Sequence, residues 1–366
     1  MRLPEGILDR LSRLVARDDA AVGLLIEDRY RVLSRLGRGG MGEVLRARDA
    51  RLGRDVAMKI LAPELSTPEW TERFKAEART MSRIDHPGVV PIHDLGHFPD
   101  GRVFYTMKLV EGRTFDELVR AREDRRKLLR ILVQVASVVQ QAHERGVVHR
   151  DLKPANLMVG RNDQVYVLDW GIARVVDEIR VAGGEGIVAG VGLTSTGTVL
   201  GTIEYMPPEQ DRGDLAAIDA RSDVYALGAI LHDALVGSPP ITGPRTTMLL
   251  ERAAAGQIVS PRERDPSIPA DLEAICRKAT APAPADRYPT AREFGEELRR
   301  WLEGGGGLDL LDETIGAEDR GQLRLQDLER DVAVVLLVAR QVDGGHAAFA
   351  ELTLDRVAAR EGGVQA

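Results

Sequence analysis

Residues 147–159 read VVHRDLKPANLMV, a stretch in which polar side chains lie between two apolar runs. The polar side chains are those of His149, Arg150, Asp151, Lys153 and Asn156. Desolvating a carboxylate, two cations and an amide is costly unless each group has a partner. The stretch therefore predicts either a network of mutual pairs or a site that binds a charged molecule.

A glycine-rich segment lies earlier, where GRGGMGEV has the spacing G-x-G-x-x-G-x-V at Gly37, Gly39, Gly42 and Val44. The strand-like run EVLRARDA follows it rather than a helix, which argues against a dinucleotide-binding loop. Glu43 stands where a Walker A loop requires Lys. Two interpretations remain: an ordinary hairpin turn, or a glycine flap whose backbone N–H groups approach phosphate oxygens.

The next strand, RDVAMKIL, carries a cation on the same face as a small side chain. With a period of two, Ala57 and Lys59 share one face, which suits an adenine above Ala57 and phosphates near Lys59. Glu77 borders the apolar stripe of the helix that follows, so its carboxylate is expected to face the sheet. A lone acid there could instead mark a solvated helix edge. An ion pair between Lys59 and Glu77 would satisfy both side chains.

Five strands and one helix are predicted between residues 29 and 110, followed by a mainly helical region from 111 to 302. The strands are RYRVLSRLG, EVLRARDA, RDVAMKIL, VVPIHDLG and RVFYTMKLV. The helix TPEWTERFKAEARTMSRI follows the third strand, with Thr67 as N-cap and Pro68 at the first helical position. Later runs such as RKLLRILVQVASVVQQAHERG and SDVYALGAILHDALVG are helical, and NLMVGRNDQVYVLD resembles a hairpin. The order predicts an α+β fold with a small antiparallel sheet, one main helix beside it, and a larger helical part.

Both ends of the chain are predicted to differ from this central region. Residues 7–26 have apolar side chains at helical spacing, so residues 1–28 are predicted to form an amphipathic helical leader. Consecutive glycines predict a linker over residues 303–307. Residues 308–366 carry twelve acidic and six basic side chains and include a segment that could be helical. A regulatory or partner-binding appendage and a dispensable tail both remain open for this region.

Composition and charge limit the classes of protein to consider. With 366 residues, 43% of them hydrophobic and 29% charged, the chain has the composition of a globular protein. The formal charge of −7 is concentrated in the acidic tail, and no basic face predicts nucleic-acid binding. The single cysteine, Cys276, suits a reducing compartment and is predicted to be buried. The richest apolar run, residues 332–339, is far shorter than the about 20 residues of a membrane span. We expect a cytoplasmic protein without a signal peptide, membrane insertion or nucleic-acid partner.

Six motifs together make the chain resemble the protein kinase family, and specifically the bacterial serine/threonine kinases that are similar to eukaryotic ones. In chain order they are GRGGMGEV, VAMK, HRDLKPAN, DWG, GTIEYMPPE and SDVYALG, between about Tyr30 and Trp301. The resemblance implies a bilobal fold within residues 29–302, with an N-lobe over about 29–110 and a C-lobe over about 111–302. It also implies transfer of the γ-phosphoryl group of ATP to Ser or Thr hydroxyls of protein substrates, with Mg²⁺ as the metal and Mn²⁺ as a possible substitute.

The resemblance implies a role for each polar residue of the opening stretch and for several others. Asp151 would accept the proton of the substrate hydroxyl, and Lys153 would neutralise the γ-phosphate. Asn156 and Asp169 would hold the metal, and Lys59 with its partner Glu77 would position the phosphates. Thr202 would lie beside Asp151 and Lys153. The other residues that it implies in the site would contact the nucleotide, and they are Gly37, Gly39, Gly42, Val44, Ala57, Met107 at the back of the adenine pocket, and Met158 beneath the adenine. Core packing describes the two methionines equally well.

Further residues are implied as supports and as regulatory sites. Glu209 is expected to pair with Arg287, Asp223 to support the catalytic loop (HRDLKPAN, residues 149–156), and His149 to pack against Trp170 as a core residue. Autophosphorylation is expected in the segment before GTIEYMPPE, where a phosphate would meet Arg150, and a transient dimer could carry it out. The candidate sites are Thr198, Thr196, Ser195 and Thr194. The segment from Asp169 to Glu209 is longer than usual in the family, and DWG and PPE replace the commoner DFG and APE.

Two other function classes use related folds. A pseudokinase would act as a nucleotide-gated scaffold, and such proteins usually lack Lys59, Asp151 or Asp169, all of which are present. A small-molecule kinase would lack GTIEYMPPE and SDVYALG, which are also present. Protein phosphorylation is therefore the predicted function, with the scaffold as the alternative.

Overall fold

A computed structural model of the protein describes residues 22–39, 42–98, 101–170, 204–214, 216–241 and 258–305. The chain divides into two units, residues 1–305 and 306–366, and every described residue belongs to the first. No helix among the described residues is both long enough and apolar enough to cross a membrane.

An antiparallel sheet forms the N-lobe and confirms the five predicted strands. Its strands are β1 (Leu25–Ile26), β2 (Tyr30–Gly39), β3 (Gly42–Asp49), β4 (Arg54–Leu61), β5 (Ile92–His97) and β6 (Val103–Lys108). Their order is β1-β2-β3-β4-β6-β5, and alternate residues of β2, β3 and β4 bury their side chains in one apolar cluster. The cluster includes Val56, Met58 and Ile60 of β4, which leaves Ala57 and Lys59 on the opposite face as predicted.

The first strand corrects the predicted leader, because residues 22–28 are not helical. Leu25 pairs with Arg31 and Ile26 with Tyr30, and Glu27 and Asp28 turn the chain with positive φ angles of 50°. Ile26 is buried in the N-lobe cluster. The apolar run that ends at Ile26 is compatible with a helix or a strand, and pairing with β2 satisfies its backbone while burying this side chain. Residues 1–21 lie outside the described residues.

Helix α1 (Pro68–Arg83) covers the other face of the sheet. Thr67 caps it as predicted, with its side-chain oxygen 3.4 Å from the Trp70 amide nitrogen, and Pro68 occupies the first helical position. Phe74 and Ala78 pack with Leu61 and Tyr105 of the sheet. Glu77 is also buried in this interface, which places its carboxylate against β4 and β6.

The C-lobe is mainly helical and surrounds helix α5. Its helices are α2 (Phe115–Arg120), α3 (Arg125–Glu144), α4 (Pro208–Asp211), α5 (Ala220–Val236), α6 (Pro261–Arg264), α7 (Ala270–Ala279) and α8 (Ala291–Arg300). A second sheet has the order β7 (Gly112–Thr114), β8 (Leu157–Gly160) and β9 (Val165–Val167), which confirms the predicted hairpin. Almost all of α5 is buried, so it forms the centre of the lobe. Cys276 is buried against it, as expected.

The start of the predicted glycine linker is part of the folded unit. Residues Trp301–Gly305 form a π-helical turn that continues α8, so residues 303–305 are not an extended linker. The Leu302 carbonyl accepts a hydrogen bond of 2.7 Å from the Arg126 guanidinium, and Trp301 is buried. These two anchors outweigh the low helix propensity of glycine in this turn.

Candidate active site

The backbone of the catalytic loop is held by one buried carboxylate of α5. Asp223 accepts hydrogen bonds from the backbone N–H groups of His149 (2.8 Å) and Arg150 (2.9 Å). Arg150 has a φ of 66°, a left-handed conformation that is uncommon outside glycine. Burial by itself would raise the pKa of Asp223, but the hydrogen bond from His143 and the nearby His149 hold it below its usual value. The predicted support of this loop by Asp223 is therefore confirmed.

His149 is a core histidine, as predicted, and its tautomer follows from its neighbours. Its Nε2 lies 2.9 Å from the Leu168 carbonyl, which can only accept, so Nε2 carries the proton. Nδ1 is then free to accept from the Asp151 backbone N–H at 3.3 Å. The ring lies 4.7 Å from that of Trp170, whose indole N–H donates to the Val167 carbonyl. The tryptophan of DWG is thus fully accommodated in the core.

The Asp151 carboxylate forms the first of two polar groups in the site. Its Oδ2 lies 2.9 Å from Lys153 Nζ and 3.2 Å from Asn156 Nδ2, and the same amide donates to the Asp151 carbonyl at 2.8 Å. Its Oδ1 is buried with no hydrogen-bond partner among the described residues. This oxygen can accept a hydrogen bond or a proton from a bound hydroxyl.

Lys59 organises the second polar group. Its ammonium lies 2.7 Å from Glu77 and 3.0 Å from Asp169, so the predicted ion pair with Glu77 is confirmed. Burial opposes the charge on Lys59, but the two carboxylates and the Tyr105 hydroxyl outweigh this and raise its pKa well above the ordinary value. The Lys59 ammonium in turn lowers the pKa of Asp169, which has a φ of 55°. Lys59 and Asp169 are therefore both charged at neutral pH.

The predicted nucleotide-contacting residues lie on neighbouring strands of the N-lobe, apart from Met158 on β8. Gly37 pairs with Val44, Val44 pairs with Lys59, and Ala57 pairs with Met107 of β6. Met107 and Met158 are partly buried and pack against the C-lobe core, which agrees with the core-packing alternative. Their contact with adenine stays a prediction.

Gly42 has a packing role that the sequence did not indicate. A Cβ at this position would lie 1.8 Å from the carbonyl oxygen of Ile60 on β4. Gly42 is therefore required for the close approach of β3 to β4. This requirement is independent of any contact between the loop and phosphate. Gly39 pairs with Gly42, and the hairpin residues between them, 40 and 41, lie outside the described residues.

One of the remaining predicted contacts is confirmed, and the others involve residues outside the described part of the chain. Arg287 forms two bonds to Glu209, of 2.7 and 2.8 Å, and Ser222 donates to the same carboxylate, so this prediction is confirmed. The contact of Thr202 with Asp151 and Lys153 falls outside the described residues. So do the candidate phosphorylation sites, which are Thr194, Ser195, Thr196 and Thr198.

Comparison with known proteins agrees with this geometry. The sequence profile of the protein kinase domain matches residues 30–297. The chain belongs to the protein kinase family. It is 37% identical over 281 residues to serine/threonine-protein kinase PknB of Mycobacterium tuberculosis, an alignment that covers 75% of this chain and 43% of PknB. It is 35% identical over 285 residues to a probable serine/threonine-protein kinase of Streptomyces coelicolor, covering 75% of this chain and 40% of the relative.

Solved structures support the same assignment. The PknI kinase domain of Mycobacterium tuberculosis has a TM-score of 0.57 and 28% sequence identity, covering 76% of this chain and 98% of that domain. The bilobal kinase fold predicted from the sequence is confirmed. This kinase-family chain spans less than half the length of the curated relatives it matches. Members of this family use ATP, a divalent metal ion and protein substrates.

The oxygen donors of the site suit such a metal ion. The described part of the chain has no group of three or more His, Cys, Asp or Glu side chains that could hold a metal by itself. The Leu168 N–H donates to the Asn156 carbonyl, which brings Asn156 next to Asp169. The Asn156 amide nitrogen donates to Asp151, so its oxygen is the atom left to bind a cation, and the Asp169 side chain is 53% exposed. One carboxylate and one amide oxygen fit Mg²⁺, which takes its other ligands from phosphates and water.

Three residues that the sequence analysis did not single out contact this site. Tyr105 donates to Glu77 at 2.7 Å, Gln210 donates to the Arg150 carbonyl at 2.9 Å, and His143 lies 2.7 Å from Asp223. A signal existed for Tyr105, because it stands two residues before Met107 and therefore shares a strand face with it. No comparable local signal marks Gln210 or His143, whose partners lie 60 and 80 residues away in the chain.

Proposed function

We propose that this chain is an ATP-dependent serine/threonine protein kinase. The observation that supports it is the pairing of Lys59 with both Glu77 and Asp169, beside an Asp151 carboxylate that has one buried oxygen without a hydrogen-bond partner among the described residues. Charged groups of both signs are needed where a phosphoryl group with developing charge must be aligned with a hydroxyl. The names of the relatives, serine/threonine-protein kinases, support the same choice of substrate hydroxyl.

In the proposed reaction, the side chains of this chain align the reactants and move one proton. Asp151 Oδ1 accepts the proton of a Ser or Thr hydroxyl while that oxygen forms a bond to the γ-phosphorus of ATP. The bond from the γ-phosphorus to the β–γ bridging oxygen breaks, and ADP leaves with its electron pair. Lys153, 2.9 Å from Asp151, would neutralise charge on the transferred group, and Lys59 would hold the other phosphates.

Asp169 and Asn156 would hold the divalent ion, which we propose to be Mg²⁺ with Mn²⁺ as a possible substitute. When bound, the ion neutralises charge on the phosphate oxygens. Autophosphorylation at Thr198, Thr196, Ser195 or Thr194, through a transient dimer, belongs to the same proposal and rests on the resemblance alone. The cytoplasmic location expected from the sequence is likewise part of the proposal.

The test uses radiolabelled ATP, Mg²⁺ and a basic protein as generic substrate, with the wild-type chain and two Lys→Met variants. We expect Lys59→Met to abolish transfer because the phosphates lose their cation and the Glu77 carboxylate loses the ammonium that pairs with it. Lys127→Met is the matched control, since the Lys127 ammonium lies 3.5 Å from Glu123 and 3.8 Å from Asp163, two acidic side chains that have no role in the proposed reaction. It is expected to keep wild-type activity.

Calorimetric titration with MgATP on the same proteins separates the enzyme from the scaffold. A wild-type chain that binds MgATP but transfers no phosphate to itself or to the substrate would support the pseudokinase alternative. Transfer by Lys59→Met at the wild-type rate would contradict the assignment of the site.

A further inference from the structure

Tyr105 lies where the sheet, α1 and Lys59 meet. It is the direct cross-strand partner of Lys59, with Tyr105 on β6 and Lys59 on β4. Directly opposed residues in an antiparallel pair project to the same face, and here that face is covered by α1. The Tyr105 ring packs against Phe74 of α1, with ring centroids 4.9 Å apart, and only 1% of the residue is exposed.

The Tyr105 hydroxyl contacts the same carboxylate oxygen as Lys59 does. It donates to Glu77 Oε1 at 2.7 Å, and Lys59 Nζ lies 2.7 Å from that atom. Glu77 Oε2 is buried with no hydrogen-bond partner among the described residues. The carboxylate is therefore fixed at a single oxygen by two donors that come from neighbouring strands.

These two donors differ in what else they contact. Lys59 also lies 3.0 Å from Asp169, and in the proposed reaction its ammonium must serve the phosphates of ATP as well. Burial, followed by the nearby Glu77 carboxylate, raises the pKa of Tyr105 well above its ordinary value, so the hydroxyl remains a donor at neutral pH. If Lys59 alone held the Glu77 carboxylate, the carboxylate would be less restrained whenever the Lys59 ammonium binds phosphate. Within the described residues, the Tyr105 hydroxyl has Glu77 as its only hydrogen-bond partner.

We propose that Tyr105 is a positioning residue for phosphoryl transfer, whose hydroxyl holds Glu77, and with it α1, against the sheet while Lys59 engages the nucleotide. The inference rests on the proposed function and deepens it. The hydrogen bond from Tyr105 on β6 to Glu77 on α1 would keep α1 against the sheet without a contribution from Lys59.

Tyr105→Phe tests this, because it removes the hydroxyl and keeps the ring that packs on Phe74. We expect kcat to fall about tenfold to a hundredfold, the effect of losing one hydrogen bond to a charged group. The KM for ATP is expected to change less than about threefold, since the adenine-side residues are untouched. Tyr225→Phe is the matched control: Tyr225 is also buried, but its hydroxyl has no hydrogen-bond partner among the described residues. It is expected to retain the wild-type kcat.

Two readouts separate positioning from simple stability. Amide hydrogen exchange is expected to be faster over α1 in Tyr105→Phe than in wild type, and unchanged there in Tyr225→Phe. In a Glu77→Ala background, Tyr105→Phe is expected to have no further effect on kcat, because the group it positions is gone.

The outcomes distinguish this inference from the proposed function. An active wild type together with Tyr105→Phe of equal kcat and equal α1 exchange would overturn the role of Tyr105 and leave the kinase activity standing. An equal loss of kcat from Tyr105→Phe with and without Glu77 would also overturn it. A wild type that transfers no phosphate would contradict both.

Discussion

The two oxygens of the Asp151 carboxylate have different environments. Oδ2 is engaged by Lys153 and Asn156, whereas Oδ1 is buried and has no hydrogen-bond partner within the described ranges. A buried acceptor without a partner destabilises a folded protein. In Asp151, the two donors to Oδ2 fix the orientation of the carboxylate and leave Oδ1 available. This arrangement is expected of a general base that accepts a proton from a substrate hydroxyl.

Asp151→Asn tests this role, because Asn keeps the size of the side chain and loses its basicity. We expect turnover to fall by a factor of about 10² to 10⁴, the usual contribution of a general base. The affinity for MgATP is expected to stay within about threefold of wild type, since Lys59 and Asp169 are unchanged. Steady-state kinetics and calorimetry measure the two quantities, with Asp163→Asn in the exposed β8–β9 turn as the matched control. Loss of ATP affinity with turnover intact would show that the roles are wrongly assigned.

Residue types and spacing predicted the pair of Lys59 with Glu77 but not the contact of Tyr105 with Glu77. Lys59 and Glu77 were both expected to face the interior, where a charge without a partner is costly. Their pairing could therefore be predicted from charge. The hydroxyl of Tyr105 carries no charge that requires a partner, and its hydrogen bond to Glu77 depends on the register of β4 and β6. Register is set by tertiary packing and cannot be read from the alternation of either strand alone.

At the scale of elements, one arginine joins three parts of the N-lobe sheet. Arg29, just before β2, forms two bonds to Asp49 at the end of β3, of 3.0 and 2.8 Å. The same guanidinium lies 2.6 Å from Asp94 on β5. In the strand order, β5 is at one edge of the sheet and β2 is next to the other edge. The contact shows that the sheet curls until these two sides meet, with Arg29 as the connection.

The carboxylate of Asp49 makes this connection sensitive to pH. It is 1% exposed, and its hydrogen bonds to Arg29 lower its pKa from 3.8 to about 2. Because the folded-state pKa is lower than the unfolded one, the pair stabilises the protein fully above about pH 4. This stabilisation is lost as the pH falls from there toward 2.

Asp49→Asn is therefore expected to lower the free energy of unfolding at pH 7 by about 1 to 3 kcal/mol. The difference from wild type should begin to shrink as the pH falls below about 4, since the Asp49 carboxylate of the unfolded wild-type chain then becomes protonated while the folded one, with a pKa of about 2, stays ionised. Urea unfolding of both proteins at a series of pH values between 7 and 3 measures it. A difference that stays constant over this range would mean that the charge of Asp49 does not carry the stabilisation.

The central elements of the fold were predicted better than the first and last elements that the structure describes. Thr67 and Pro68 mark the start of α1 by local chemistry, and the glycine-containing turns separate β2, β3 and β4, so these elements follow from short segments. Strand β1 was missed because a short apolar run ending at Ile26 fits either period, and its pairing with β2 decides between them. The π-helical turn after α8 was missed because consecutive glycines favour a linker, and its anchor, Arg126, lies 176 residues earlier in the chain.

At the scale of the whole molecule, the boundary of the kinase domain depends on this last turn. The family profile ends at residue 297, whereas Trp301 is 8% exposed and the Leu302 carbonyl is bonded to Arg126 on α3. The folded part of the C-lobe therefore extends beyond the profile. We propose that the domain ends near Gly305 and that residues 308–366, with their excess of acidic side chains, form a regulatory or partner-binding appendage.

Two truncations test this boundary. A chain that ends at Gly305 is expected to keep the melting temperature and the turnover of the full chain toward a generic substrate. A chain that ends at Arg300 is expected to melt about 5 to 10 °C lower, because it loses the buried Trp301 ring and leaves the Arg126 guanidinium without its carbonyl acceptor. Differential scanning calorimetry of the three proteins measures the shift. A large loss of stability on ending at Gly305 would mean that residues 306–366 belong to the stable domain, and equal melting temperatures for the two truncated chains would mean that the Trp301 turn does not support the C-lobe.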